Sequence, residues 1–193
     1  MNIIIDPGHG GTEKGAVYGL NGIGVMEKDL NLILASQLYV RLMKHFSRTA
    51  LIRNNDIRIP MRKRCNTINN KKWDLCISIH CNASEDYSAN GFEVLHYPFS
   101  TGRILSHYIF TSMTSSVRNI IKPRALVSND QKAILKTRPT SCIVECGFMS
   151  NCDDMANLMQ PRTQMIIVHS ITKGILNYCG DLVGNKLHEK FNT

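Results

Sequence analysis

Apolar residues follow two kinds of pattern that alternate along the chain. Short runs rich in apolar or β-forming residues, typical of strands, occupy residues 2–5, 49–52, 75–79, 91–97 and 141–145. Helices are expected over 30–45, 60–70, 100–121, 153–159 and 161–178, of which 60–70 is a basic helix. A brief further strand is expected at 133–135. Strands alternating with helices predict a three-layer α/β domain with a largely parallel sheet.

Two helices carry the clearest apolar stripes. The stripe of the first long helix consists of Leu30, Ile33, Leu34, Leu38, Leu42 and Met43, and that of the last helix of Met165, Val168, Ile171 and Ile175. The last helix has Pro161 at its start and Gly180 just past its expected end, as helix boundaries favour. We therefore expect one domain over residues 1–180, followed by a polar tail over 181–193.

Composition narrows the class of protein without fixing its function. The chain has 193 residues, 43% of them hydrophobic, and a net charge of +8, which favours an acidic partner such as nucleic acid, a membrane face or a cell-wall polymer. The start of the chain lacks the features of a signal peptide, so we expect synthesis in the cytoplasm, with no membrane span. Seven cysteines without a C-x-x-C pair argue for free thiols.

Candidate chemistry lies where the predicted strands end. His9 follows the first strand, while His80 and Glu145 terminate two others. If these strands are parallel, the three side chains meet at one edge of the sheet, where ligands bind in open α/β folds. Glu27, at the start of the first long helix, is expected near the same edge. Two histidines with a carboxylate form a known catalytic zinc set, and a further glutamate can act as general base.

Each of these residues also has an ordinary structural explanation. A single histidine is more often a structural residue than a ligand, and a carboxylate such as Glu27 is favoured at a helix N-terminus. Glu145 is harder to explain in this way, because it follows directly from a buried apolar run. A buried carboxylate is costly without a partner or a role.

Several motifs in order resemble the zinc-dependent N-acetylmuramoyl-L-alanine amidases, the group shared by bacterial cell-wall amidases and many bacteriophage endolysins. The resemblance covers roughly residues 2–179. The matching segments are 5–11 with Gly15-Ala16, 27–32, 53–56 with Arg64, 78–83, 91–94, and Pro139 leading to 144–151. It implies a mixed, mostly parallel sheet of about six strands with helices on both faces.

The resemblance also implies a reaction and roles for individual residues. His9, Glu27 and His80 would bind one Zn²⁺ per chain, and Glu145 would be the catalytic glutamate. The substrate would be peptidoglycan, cut at the amide between N-acetylmuramic acid and L-alanine. Zinc lowers the pKa of a bound water to about 7, and we expect Glu145 to take the water proton and later deliver it to the leaving amine.

Two other functions compete with this one. A cysteine hydrolase would use Cys81 or Cys146 as nucleophile, although His80 and Cys81 are strand neighbours that point to opposite faces. We expect both cysteines to be small buried thiols facing away from the zinc. A nucleic-acid-binding module would use the basic stretch of Arg58, Arg62, Lys63, Arg64, Lys71 and Lys72 with Trp73. It would leave Glu145 and both histidines without a purpose.

The biological setting is an expectation of its own. We expect a phage or prophage endolysin that acts as a monomer on the wall after membrane permeabilisation and causes host lysis. A bacterial mother-cell or sporulation-type amidase is the alternative. The positive charge would then promote attraction to anionic cell-wall polymers, and no nucleic-acid partner is expected. The substrate-binding residues are unknown from the sequence.

Overall fold

The computed structural model describes residues 1–20 and 23–191, in which strands and helices alternate as the apolar pattern predicts. The strands are β1 (Asn2–Pro7), β2 (Val17–Leu20), β3 (Ile23–Met26), β4 (Arg48–Leu51), β5 (Leu75–Asn82), β6 (Phe92–His96), β7 (Pro123–Ser128) and β8 (Thr140–Phe148). The helices are α1 (Glu27–Leu42), α2 (Met61–Asn69), α3 (Gly102–Val117), α4 (Cys152–Leu158) and α5 (Pro161–Phe191). A 3-10 turn occupies Ala133–Lys136.

Six of the strands form one sheet in the order β4-β1-β5-β8-β6-β7. Strands β4, β1, β5 and β8 are mutually parallel, β6 is antiparallel to β8, and β7 is parallel to β6. This confirms the predicted mixed, mostly parallel sheet. The carboxyl ends of β1, β5 and β8 therefore lie side by side at one edge.

The core lies on both faces of this sheet. In β1 the side chains alternate, so that Ile3 and Ile5 pack with α1, α3 and α5 while Ile4 packs with α2 and the 3-10 turn. All three are at most 1% exposed. Full burial of one such side chain stabilises the fold by about 1.5–3 kcal/mol, which explains why β1 is a continuous apolar run. Helices on both faces complete the three predicted layers.

The structure corrects several boundaries. Residues 133–135 form the 3-10 turn rather than a strand, and α3 ends at Val117 rather than at residue 121. Beyond it lies β7, an edge strand that the sequence analysis missed. It begins with Pro123, a position where the absent N–H is tolerated. Strands β2 and β3 form a small antiparallel pair that the apolar pattern does not predict.

The two predicted stripes are correct in the centre and wrong at their margins. Ile33 of α1, Met43 just after its end and Met165 of α5 are 43%, 54% and 51% exposed, so these three residues do not belong to the buried faces. The last helix continues past Gly180 to Phe191, over most of the predicted polar tail, and residues 192–193 lie outside the described residues. Within the described ranges, every helix is too short or too polar to span a lipid bilayer.

Candidate metal centre

Three candidate residues come from the parallel strands at the common edge. His9 follows β1, while His80 and Glu145 lie within β5 and β8, each of which continues for two or three residues past the predicted end. His80 and Glu145 are register partners on neighbouring strands. The structure thus brings the three positions together, as expected from parallel strands.

The loop that carries His9 has an unusual backbone. His9 has a φ of +59°, in the left-handed region that costs a non-glycine residue energy. Gly10 and Gly11 follow with φ values of +136° and +59°. The N–H of Gly8 donates to the carbonyl of Ile79 on β5 at 3.0 Å. This conformation turns His9 back over the edge of the sheet, toward His80.

Glu27 is the first residue of α1, and its carboxylate lies between the two imidazoles. Its Oε2 is 3.1 Å from His9 Nε2, and its Oε1 is 2.9 Å from His80 Nδ1. Glu27 is only 5% exposed. Burial raises its pKa, but the hydrogen bonds with His80 and His9 outweigh burial and hold the pKa of Glu27 well below its usual range. The carboxylate is therefore ionised.

These three side chains fit a metal ion. His9, Glu27 and His80 each offer one donor atom, all within 4.8 Å of one another, and no other such group occurs among the described residues. Two imidazole nitrogens with one carboxylate oxygen are a donor set that catalytic zinc sites use. The buried negative charge of Glu27 favours a cation at this point.

Glu145 lies beside this group with part of its carboxylate free. It is 8% exposed, and no donor among the described residues reaches its buried Oε2. Burial is the largest cause that raises the pKa of Glu145; the nearby charges of Glu27 and Glu93 raise it further, whereas His80 and Lys132 oppose the shift. An unpaired buried carboxylate oxygen next to a candidate metal group is available to accept a proton.

A cavity of about 480 Å³, the metal pocket, contains all four residues. Met61 from α2 and Lys132 from the loop before the 3-10 turn also line it. The pocket therefore combines acidic, basic and imidazole side chains within one space, large enough for a small substrate group.

Two buried arginines brace the loop before and around His9. Arg53 donates to the carbonyl oxygens of Pro7 at 3.0 Å and of Gly8 and Lys28 at 2.8 Å. Arg64 pairs with Asp6 at 2.5 Å and donates to the carbonyls of Pro7 and His9. Both arginines are at most 3% exposed. They satisfy loop carbonyls that would otherwise be buried without a donor.

Asn31 is a positioning residue that the sequence analysis did not assign. Its amide donates to Glu27 Oε1 at 3.1 Å and to the carbonyl of Gly8 at 3.3 Å, and it is fully buried. The available signal was its place four residues after Glu27, on the same face of α1. It ties Glu27 to the loop that carries His9.

Two glycines are required by close packing around the same group. A Cβ atom on Gly8 would overlap the ring of His80, and one on Gly15 would overlap Glu27 Oε2. Gly15 also has a φ of +68°, which disfavours other residues. The glycines of the motif thus leave room for the metal pocket's own side chains.

The cysteines do not form part of the candidate group. Cys81 and Cys146 pack in the core beneath α1, α3 and α5, and burial raises the pKa of both thiols. A thiol held in its neutral form is a poor nucleophile and metal ligand. Cys81 nevertheless lines the metal pocket, and its N–H donates to Glu27 Oε1 at 3.3 Å. The raised pKa values of both thiols argue against the cysteine-hydrolase alternative.

The basic stretch also differs from its sequence-based interpretation. Arg64 belongs to the buried network and not to the surface. Trp73 is 8% exposed and lies under the guanidinium of Arg48, 4.5 Å from the ring centroid. Neither residue is free to contact a nucleic acid, so the aromatic part of the proposed nucleic-acid interface is absent.

Comparisons with known proteins identify one family that this chain resembles over most of its length. A family profile described as N-acetylmuramoyl-L-alanine amidase matches residues 3–177. The N-acetylmuramoyl-L-alanine amidase LytC of Bacillus subtilis (strain 168) is 28% identical over 179 residues, which cover 91% of this chain and 35% of LytC. The chain thus spans little more than a third of that relative.

Two further proteins match over more of their own length. The germination-specific N-acetylmuramoyl-L-alanine amidase of the same Bacillus strain is 27% identical over 191 residues, covering 91% of this chain and 78% of that protein. The crystal structure of an N-acetylmuramoyl-L-alanine amidase from Clostridium difficile 630 superposes with a TM-score of 0.86 at 27% identity. That match covers 93% of this chain and 96% of the other.

Proposed function

The chain belongs to the N-acetylmuramoyl-L-alanine amidase family, and we propose that its metal pocket hydrolyses the amide between N-acetylmuramic acid and L-alanine with one zinc ion. The family membership establishes a cell-wall amidase; the zinc and the roles of individual residues are the proposal. The observation that carries it is the grouping of His9, Glu27 and His80 within 4.8 Å, beside the free carboxylate oxygen of Glu145.

His9, Glu27 and His80 would hold the metal ion. When bound, zinc supplies Lewis-acid polarisation of the scissile carbonyl and lowers the pKa of a water molecule. Three protein ligands leave one position for water or substrate, as in other catalytic zinc sites. Asn31 keeps the Glu27 carboxylate in place, and Arg53 and Arg64 keep the His9 loop in its strained conformation.

Glu145 moves the proton in this proposal. Its free oxygen takes a proton from the attacking water, and the same carboxyl then delivers it to the nitrogen of the L-alanine leaving group. An amine leaves poorly unless it is protonated, so the second transfer matters as much as the first. The carbon–nitrogen bond of the amide breaks, and the lactyl carboxylate and a free L-alanine amine are formed.

The products of wall digestion test this proposal. Purified protein is incubated with peptidoglycan, with and without a chelator, and new amino termini and new reducing ends are counted. New L-alanine termini without reducing ends, abolished by the chelator and restored by Zn²⁺, are expected. Reducing ends, or cleavage that the chelator does not affect, would contradict it.

The biological setting is a separate part of the proposal. We propose an endolysin that acts after membrane permeabilisation, supported by the resemblance to a group that includes phage endolysins. The relative named as germination-specific supports the alternative, a sporulation-type amidase. To distinguish the two settings, turnover is measured on vegetative cell walls and on spore cortex from the same bacterium. Faster cleavage of vegetative walls favours the endolysin, and faster cleavage of cortex favours the alternative.

We also propose that exposed basic residues attract the protein to anionic cell-wall polymers. Arg58, Arg62, Lys63, Lys71 and Lys72 are exposed within a stretch that contains no acidic residue. Such a surface binds polyanions in a salt-dependent manner. Co-sedimentation of the monomeric protein with walls should weaken as salt is raised, and binding that salt leaves unchanged would contradict this part.

A further inference from the structure

A second cavity opens beside the metal pocket, and we name it the tyrosine groove. It has a volume of about 560 Å³ and is lined by Tyr18 from β2, Tyr87 from the β5–β6 loop and Ser150 from the turn before α4, among others. Ala16 and Ala83 line both cavities. A ligand that reacts in the metal pocket can therefore extend into the groove.

The walls of the groove are tied to one another. The N–H of Ser84 donates to Ser150 Oγ at 3.0 Å, and the Asn151 amide donates to the carbonyl of Tyr87, also at 3.0 Å. These contacts link the β5–β6 loop to the turn before α4, so two walls of the groove are held together before a ligand binds.

The groove differs from the metal pocket in charge. Among the described residues that line it, there is no carboxylate, lysine, arginine or histidine. The metal pocket contains Glu13, Glu27, Glu145 and Lys132 in addition to its two histidines. A ligand segment that carries charge finds a partner only in the metal pocket, because burying an unpaired charge is costly.

The aromatic side chains of the groove are available to a ligand. Tyr18 is 40% exposed and Tyr87 is 75% exposed. The negative face of an aromatic ring attracts the polarised C–H bonds of a sugar ring, and tyrosine and serine hydroxyls can bond to sugar hydroxyl and acetamido groups. An uncharged groove with these groups suits a neutral saccharide better than a peptide with free carboxylates.

The amide cut by this family joins a sugar to a peptide, so the two sides of the substrate differ in charge. We propose that the tyrosine groove binds the glycan strand, with Tyr87 and Tyr18 against sugar rings, and that the stem peptide lies toward Lys132. The inference rests on the proposed amide hydrolysis for the identity of the ligand. It assigns the direction in which the substrate crosses the pocket.

Binding of a peptide-free glycan tests this assignment without requiring hydrolysis. The probe is a tetrasaccharide of alternating N-acetylglucosamine and N-acetylmuramic acid whose lactyl carboxyl groups are converted to amides, so that the probe is uncharged. It is titrated by calorimetry or NMR. Tyr87→Ala should weaken binding at least fivefold, whereas Tyr87→Phe, which keeps the ring, should stay within twofold of the wild type. Because Tyr87 is exposed, the variants should keep the wild-type fold, which circular dichroism checks.

A matched control uses another exposed aromatic residue. Phe99 is fully exposed and follows β6, which is antiparallel to β8, so Phe99 lies at the opposite edge of the sheet. Phe99→Ala should leave glycan binding unchanged. An equal loss in Phe99→Ala and Tyr87→Ala, or no loss in Tyr87→Ala, would overturn the inference.

Kinetics on two substrates give the second readout. Muramyl peptides with one sugar and with four sugars are compared at the same stem peptide. Tyr87→Ala should raise KM for the four-sugar substrate more than KM for the one-sugar substrate, with a smaller effect on kcat. If the rise in KM caused by Tyr87→Ala depended on the length of the stem peptide and not on the number of sugars, the assignment would be overturned. Tyr87-dependent glycan binding without any hydrolysis would contradict the proposed function and not the groove.

Discussion

The metal pocket and the tyrosine groove are neighbours that share two alanines, yet they are built in different ways. The metal pocket depends on buried polar groups, since Glu27, Arg53 and Arg64 are each at most 5% exposed and are tied to the loop of His9 or to His9 itself. The tyrosine groove depends on exposed side chains from three loop or edge segments, with Tyr87 75% exposed.

The difference separates two tasks. Groups that bind a metal and move protons must be held in one geometry, and buried hydrogen bonds provide that rigidity at a cost in stability. Groups that contact a long polymer need only present a surface. Substitutions in the first region should therefore change stability and metal binding, whereas substitutions in the second should change KM.

Removal of Arg64 should produce the largest effect on stability. Arg64→Met leaves Asp6 as a buried carboxylate without its cation, which costs about 3–5 kcal/mol in the free energy of unfolding. Arg62 is exposed on the same helix, and Arg62→Met should change stability by less than about 0.5 kcal/mol. Urea unfolding measures both. Equal losses would show that the network does not brace the metal pocket.

Asn31→Ala should have the second largest effect, and it should lower metal affinity rather than the stability of the fold. Loss of the amide that holds Glu27 should weaken zinc affinity about 10–100-fold. Asn157 donates a similar amide bond to the carbonyl of Ile120, away from the pocket, and Asn157→Ala serves as the control. Competition with a chromophoric chelator measures affinity. An unchanged zinc affinity in Asn31→Ala would show that Asn31 does not position Glu27 for metal binding.

Lys132→Ala should have the smallest effect, a rise in KM. It tests whether the charged metal pocket, and not the uncharged tyrosine groove, binds the stem peptide. Lys132 is exposed, so its attraction to a stem-peptide carboxylate is worth about 0.2–1 kcal/mol, or up to about a fivefold rise in KM. The rise should disappear at high salt. Lys136 lies at the end of the 3-10 turn that follows Lys132, outside the metal pocket, and Lys136→Ala should leave KM unchanged. Equal effects would place the peptide elsewhere.

The sequence predicts the centre of the sheet better than its margin. β1, β5 and β8 are continuous apolar runs because both of their faces are buried. β7 is an edge strand with exposed and half-buried residues and a proline at its start, so its pattern carries little signal. The continuation of α5 past Gly180 was also not predicted, because a glycine at this point is typical of a helix end. In the structure no neighbouring atom lies within 4 Å of the position of a Cβ at Gly180, so no close packing explains the glycine there.

At the site, sequence reasoning located residues more easily than their contacts. His9, His80 and Glu145 could be found because strand ends in parallel sheets share an edge. The proposed role of Glu27 as a metal ligand rests on the resemblance to a family, since a carboxylate at a helix start has an ordinary explanation. The burial of Arg64 could not be predicted, because a run of basic residues does not reveal which one faces inward to pair with Asp6.

The central claim is that His9, Glu27 and His80 hold the metal while Glu145 transfers the proton. Glu145→Gln tests it most directly, with zinc per chain and kcat measured on the same preparation. The account predicts one zinc per chain, as in the wild type, and kcat reduced about 10²–10⁴-fold. Loss of zinc from Glu145→Gln, or wild-type turnover with zinc retained, would contradict this division of roles.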